Sequence, residues 1–280
     1  MTTIDAILDQ VDTLPSAPEI LPKLMTVLNE PDIDLSQIVD LITYDPGLTA
    51  RVLRLCNSAS LAGATQVTNP LEAVNRLGSE AIYRMIAVAI GRLAMQPSRQ
   101  IPGLEPEVLW RHSVVSALAA QLMAADHGED TSAIFTAALL HDAGKIVMAE
   151  AFQDDYGRLL AKYAGVPEEL PSEERARFNT DHAEVGGRLL VRWKFPSALA
   201  SAVVFQHRPG AAGQAARLAA YVHLGDFVAN LLDEPSFDAD ACGQETSEAL
   251  RILELPKECL GSYRERTLDN FEFVNALCRV

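Results

Sequence analysis

Apolar residues recur along nearly the whole chain at spacings of three and four, and no stretch alternates apolar with polar residues long enough to make a strand. Leu21, Leu24, Met25 and Leu28 form one such stripe, Ile38, Leu41 and Ile42 a second, and Val52, Leu53 and Cys56 a third. This period commits the chain to helices. The punctuation agrees: Asp34 is placed to cap a helix, Pro46 suits a first turn, and Asn69-Pro70 opens a helix that should stop at Gly78. Ser79 and Glu80 begin a long apolar helix towards Met95. Further helices are expected over 105–126, 131–150, 181–193, 197–207 and 211–232, with a loop from Asp233 to Asp238 and a final helix after Pro256. Residues 96–103 carry two prolines and a glycine without helical periodicity, which marks the best internal boundary. The expected architecture is all-α and two-lobed: an N-terminal helical lobe over 1–100 and a helical bundle over 101–280.

At 280 residues and 49% hydrophobic, the chain has enough apolar material for a sizeable core. Its 23 basic and 38 acidic residues give a net charge of −15, and counting to residue 100 gives 7 − 11 = −4, leaving 16 − 27 = −11 for the rest. Neither part is basic, which argues against nucleic acid or an anionic membrane surface as a partner. Arg51 and Arg54 therefore read as a solvated face and not as a DNA contact. The apolar run Ala133 to Leu140, broken only by Thr136, is less than half of the ~20 residues a membrane span needs. The opening Met-Thr-Thr-Ile-Asp-Ala has no basic region before an apolar stretch, so no secretory signal is expected. Cys56, Cys242, Cys259 and Cys278 show no paired spacing and read as reduced thiols of a cytoplasmic protein.

The feature richest in chemistry is Leu139-Leu140-His141-Asp142-Ala143-Gly144-Lys145 at the end of an apolar helix. Adjacent side chains within a helix splay by ~100°, but at a helix end an imidazole and a carboxylate can both reach one metal ion. Taken alone, the pair also reads as a capping histidine beside a solvated aspartate. Other residues shift the balance. His112 lies on a helix, His182 opens one after Asp181, with Glu184 completing a capping box, and His207 closes another. Asp226 is a lone acid on an otherwise apolar helix and needs a cation or donors nearby. His127 sits in an acidic loop and reads as solvated, and His223 as a satisfied core or interface histidine. Asn57 and Ser58, at a crowded helix junction, are expected to satisfy backbone groups between helices.

The order His112, His141-Asp142, Asp226 resembles the ligand pattern of the HD superfamily of metal-dependent phosphohydrolases. Over residues 12 to 230 the chain more closely resembles an HDOD domain, the HD-related output domain of bacterial signalling proteins. The resemblance rests on Leu14 to Pro18, on Asp45-Pro46-Gly47-Leu48 with Asn57-Ser58-Ala59, on Ala73 to Gly78, and on the segments around His112, His141, His182, Trp193 to Pro196 and His207. It implies that His112, His141, Asp142 and Asp226 hold a divalent metal, with Fe, Mn, Zn, Ni or Mg all compatible. His182 and His207 match positions that hold a second metal in the binuclear HD-GYP relatives, or otherwise support the first. Lys145 matches a lysine that contacts substrate phosphate in those relatives, and Arg208 is a second cation available to a phosphate. Two departures count against cyclic-dinucleotide hydrolysis: His207 is followed by Arg208 instead of a second histidine, and no Gly-Tyr-Pro follows.

The sequence contains no Walker-type loop, dinucleotide fingerprint or nucleophile elbow. The resemblance favours a signalling output module that carries a metal site and acts by binding a partner protein. A metal-dependent phosphohydrolase acting on a nucleotide or other phosphate ester is the alternative, and a purely structural metal a third.

Overall fold

The computed structural model describes residues 4–10, 20–28, 35–43, 46–57, 67–98, 100–164, 166–233 and 243–278. The Leu14 to Pro18 segment, Asp34, Asp45, Ser58, Ala59, Cys242 and most of the loop after Asp233 lie outside them. Among the described residues the regular structure is helical, with no strand and a single isolated bridge between Ile101 and Leu104.

Six helices precede residue 100: α1 (Ile4–Gln10), α2 (Ile20–Leu28), α3 (Leu35–Thr43), α4 (Pro46–Cys56), α5 (Pro70–Leu77) and α6 (Ser79–Ala94). Asn69 caps α5 by accepting from the Glu72 amide, Pro70 occupies the first turn, and Gly78 ends the helix at φ 82°, as expected from the sequence. Asn57 closes α4 by donating to the Leu53 and Val67 carbonyls and accepting from the Val67 amide, the bridging task expected of it.

The second half is organised around α7 (Pro106–Asp126), which is buried on nearly all sides by α8 (Thr131–Leu140), α13 (Ala216–Asp233) and α15 (Cys259–Cys278). Between them run α9 (Ala143–Tyr163), α10 (Leu170–Phe178), α11 (His182–Arg192), α12 (Ser197–Val204) and α14 (Gln244–Leu253). The helix expected over 131–150 breaks at His141-Asp142, and its second part runs on to Tyr163 with a kink at Gln153. Three further differences have local causes. Helix α10 buries only Leu170, Pro171 and Glu174, too few apolar positions for a visible stripe. Helix α13 starts at Ala216 because two short 3-10 turns occupy 209–215. Helix α14 has no counterpart among the helices expected from the sequence, and its amphipathic face packs on α13.

The break near residue 100 does not divide the core. Apolar residues from both sides form one continuous buried cluster, and the Tyr83 hydroxyl on α6 meets Thr136 Oγ1 on α8 at 2.5 Å. Residues 131–163 have the length and composition of a membrane span, but 89% of that apolar window is buried inside the protein. Cys56 and Cys259 are free thiols.

Candidate metal centre

Two glycines set the distances on which the site depends. A Cβ on Gly144, in the first turn of α9, would lie 1.9 Å from the His182 carbonyl oxygen and 2.7 Å from the Gly186 nitrogen. Only glycine lets α9 and α11 approach this closely, and that approach brings His141-Asp142 against His182. On α13, a Cβ at Gly225 would lie 2.5 Å from the Ser116 carbonyl of α7. This contact brings Asp226 against His112.

The outcome is a line of ligand-type groups: His112, Asp226, His141, Asp142, His182 and His207. His112 Nε2 is 2.9 Å from Asp226 Oδ1, and His141 Nε2 is 3.6 Å from the same oxygen. Asp142 follows, with Oδ2 at 3.5 Å from His141 Nε2 and Oδ1 at 3.6 Å from His182 Nε2. His182 Nε2 and His207 Nε2 lie 2.9 Å apart. Among the described residues, the atoms of His112, His141 and Asp226 all fall within 4.8 Å of one another, as a shared cation requires.

The Nδ1 atoms of the three histidines nearest the centre each face an acceptor: the Asp233 carboxylate at 2.9 Å for His112, the Ala138 carbonyl at 2.7 Å for His141, and the Glu174 carboxylate at 2.7 Å for His182. These acceptors place a proton on Nδ1 and turn Nε2 inward, the arrangement that outer partners impose on metal-binding histidines. His141 Nε2 is buried and has no hydrogen-bond partner, since 3.6 Å is too long for one. An imidazole lone pair buried in this way, facing a carboxylate, fits a divalent cation of borderline hardness.

The titration behaviour follows from this packing. Burial pushes the His112 imidazole down, but the Asp226 and Asp233 carboxylates outweigh it and raise its pKa to about 9. Burial opposes ionisation of Asp226 and Asp142, yet His112 beside the first, and His141, Lys145 and His182 around the second, hold both carboxyls well below their usual range. Burial likewise works against charge on His182, and Glu174 overcomes it. Burial and then the His182 charge hold His207 well below an ordinary imidazole.

Lys145 Nζ donates to Asp142 Oδ2 at 2.7 Å, and Asp142 keeps it charged in spite of burial. Lys145 lines a cleft of about 290 Å³ together with His112, Asp142, His182, His207 and Asp226. Arg208 is exposed and lines a second cleft of about 210 Å³, which meets the first at Pro167, His207, Asp226 and Asn230. Only half of the expected capping box forms: Asp181 accepts from the Glu184 amide at 2.7 Å, while the Glu184 carboxylate accepts from Thr180 Oγ1 instead. His127 is exposed, and His223 is satisfied at both nitrogens by the Gln206 carbonyl and Thr246, in keeping with the sequence.

Three supporting residues are not among the candidates that the sequence singles out. Asp233 ends α13 instead of opening a loop, and Asp226, Asn230 and Asp233 at spacings of four and three form a polar stripe that is visible in the sequence. Glu174 looks like half of a solvated Glu-Glu pair, and only the need of a buried His182 for an acceptor points to it. Gln206 donates to the His141 carbonyl at 3.0 Å and fixes the turn between α8 and α9.

The chain is similar to several known proteins. An uncharacterized protein of Treponema pallidum is 27% identical over 209 residues, which cover 72% of this chain and 39% of the relative, so the chain spans about two-fifths of that protein's length. An HDOD domain protein of unknown function from Geobacter sulfurreducens superposes with a TM-score of 0.77 at 23% identity, covering 98% of this chain and 95% of the other. A Shewanella amazonensis protein described provisionally as a phosphohydrolase gives 0.70 at 24% identity, covering 98% and 97%. These two likenesses establish a shared fold. The HDOD domain model matches residues 14–209, well over half of the chain, and the protein belongs to the HDOD domain family.

Proposed function

We propose that the protein is a signal-transduction output module that binds one divalent cation at His112, His141 and Asp226, with Asp142 as the adjoining ligand, and acts by engaging a partner protein without turnover. The observation that carries the metal assignment is the buried, unpartnered His141 Nε2 facing Asp226. Outer partners support it: Asp233 and the Ala138 carbonyl fix the orientation of His112 and His141 ahead of cation binding. When bound, the cation would supply charge for polarising and orienting an anionic ligand.

The engagement of Lys145 by Asp142 favours binding over hydrolysis. Phosphoryl transfer needs positive groups gathered around one phosphate, whereas Lys145 donates to Asp142 and Arg208 is exposed. Metal-dependent hydrolysis of a nucleotide or other phosphate ester is the second reading, favoured by the cleft over the centre. His182 and His207, already linked at 2.9 Å, support the centre in the first reading and take a second cation in the other.

Assays with Mn²⁺, Fe²⁺, Zn²⁺, Ni²⁺ and Mg²⁺ against mononucleotides, cyclic dinucleotides and simple phosphate esters separate the two. Turnover no greater than that of the His141→Ala variant supports the module. Robust turnover lost in both His141→Ala and Asp142→Ala, with the fold intact, makes the protein a hydrolase.

A further inference from the structure

Helix α1 is the first in the chain, yet it packs on α9 and α11, both beyond residue 140. Ile7 and Leu8 are buried and Ile4 is partly so, an apolar stripe at spacings of three and four. Asp5 and Asp9, one turn apart, meet Arg188 and Arg192, one turn apart on α11. Arg188 donates to both Asp5 carboxylate oxygens, at 2.9 and 3.2 Å. Arg192 pairs with Asp9 and also donates to the Leu8 carbonyl at 3.0 Å, in the last turn of α1, where a cation is favourable. Pairing 5 with 188 and 9 with 192 sets α1 parallel to α11 and in step with it.

These links fix the register of α1 but hold it weakly. The Asp5 and Asp9 side chains are 65% and 67% exposed, and ion pairs in that setting contribute little. A helix of seven residues is also too short to persist alone. Its seat, by contrast, is fixed, because α9 and α11 meet backbone to backbone at Gly144, His182 and Gly186.

The charge of that seat is opposite to that of the molecule, whose net charge is −15. Four residues of α11 are exposed: Glu184, Arg188, Val191 and Arg192. Glu184 accepts from Thr180, so with α1 removed two arginines and a valine are left to meet another chain. An acidic segment with an aliphatic stripe fits such a surface.

We propose that α1 occupies the docking site of a partner's helix. The surface of α9 and α11 takes an acidic amphipathic helix with aliphatic residues at i, i+3 and i+4 and carboxylates at i+1 and i+5. That is the pattern of Ile4, Ile7 and Leu8 with Asp5 and Asp9. Until it is displaced, α1 keeps the surface closed. The inference rests on the partner-binding reading above and deepens it by naming the surface and the chemistry of the partner. Because α1 is tethered, at an effective concentration on the order of millimolar, a free helix binds the parent only in proportion to the open fraction.

The probe is an acetylated peptide with the sequence of residues 1–12, titrated to millimolar concentration against the full chain and followed by NMR at the α11 amides. Asp5→Lys/Asp9→Lys in the chain sets lysines against Arg188 and Arg192. The peptide should bind that variant about ten-fold tighter than the parent. Where the lysine variant does not fold, Asp5→Ala/Asp9→Ala should give about three-fold. A peptide with lysine at both aspartate positions should not bind the opened chain, and should bind once Arg188→Glu/Arg192→Glu is added. Equal binding by parent and variant, no binding to either, or binding indifferent to the two aspartates overturns the proposal. A parent dimer that the lysine substitutions dissolve makes the α1 of a second copy the occupant, and overturns it too. The turnover assay above tests the partner-binding reading separately: robust hydrolysis defeats that reading and leaves the peptide result standing.

Discussion

Glu174 Oε2 lies 2.7 Å from His182 Nδ1 and also accepts from the His182 backbone amide at 3.0 Å, while its other oxygen accepts from the Tyr156 hydroxyl. A fully buried carboxylate with three donors is stabilising only as a complete set. Glu174→Ala would orphan all three and should destabilise the protein by about 3 kcal/mol in chemical denaturation. Glu174→Gln, which still accepts, should recover part of that loss. An alanine variant as stable as the parent would show that His182 is held by other contacts.

The close approach of α9 and α11 gives a second test. Gly144→Ala places a methyl group on the His182 carbonyl, and Gly225→Ala places one on the Ser116 carbonyl. Both obstacles are backbone, so relief requires moving a whole helix. Each substitution should cost about 3 kcal/mol and weaken metal binding. Alanine at Gly261, where nothing lies within 4 Å, should be tolerated in the same denaturation series.

Tyr83 and Thr136 join the helices on either side of residue 100 through a buried hydroxyl pair. Tyr83→Phe leaves Thr136 still donating to the Ser132 carbonyl, so the expected loss is about 1 kcal/mol with unchanged cooperativity. Separate unfolding of the two halves in the variant would contradict the shared core.

His223 supplies a pH test at a histidine that is not itself a candidate ligand. Burial lowers its pKa from 6.5, with Asp226, the Gln206 carbonyl, Glu245 and Glu248 acting against that. A folded-state value below the unfolded one means the unfolded chain binds more protons, so the contribution of His223 is complete above about pH 6.5 and is lost as the pH falls. His207 acts in the same direction, and His112 and His182 in the opposite one. The difference between parent and His223→Gln therefore isolates the effect. The parent's advantage in urea denaturation should shrink between pH 7 and pH 5; a constant difference would mean His223 keeps an ordinary pKa.

Much of the site is legible in the sequence because it is written in single unusual residues. Asp226 is an acid where apolar residues surround it and demands a partner on sequence grounds alone, whereas His141-Asp142 also reads as a capping histidine beside a solvated aspartate until the other histidines are set beside it. Helices α7, α8 and α13 are legible as long, largely apolar segments. Helix α10 is not, because it buries too few apolar positions for a visible stripe, whereas α14 carries one at Ala249, Leu250 and Leu253 that the sequence reading leaves out. Glu174 and Gln206 are hidden for a different reason: their importance lies in what they touch across the fold, and nothing local distinguishes them from solvated residues.

The central claim is that His112, His141 and Asp226 form a cation site. Metal analysis of protein purified without a metal-affinity column, followed by Mn²⁺ titration of the chelator-treated protein, tests it most directly. The account predicts one divalent ion per chain, with affinity reduced at least about ten-fold in both His141→Ala and Asp226→Asn while the thermal midpoint of the metal-free protein stays close to that of the parent. No uptake by the parent, or undiminished uptake by both variants, would contradict it.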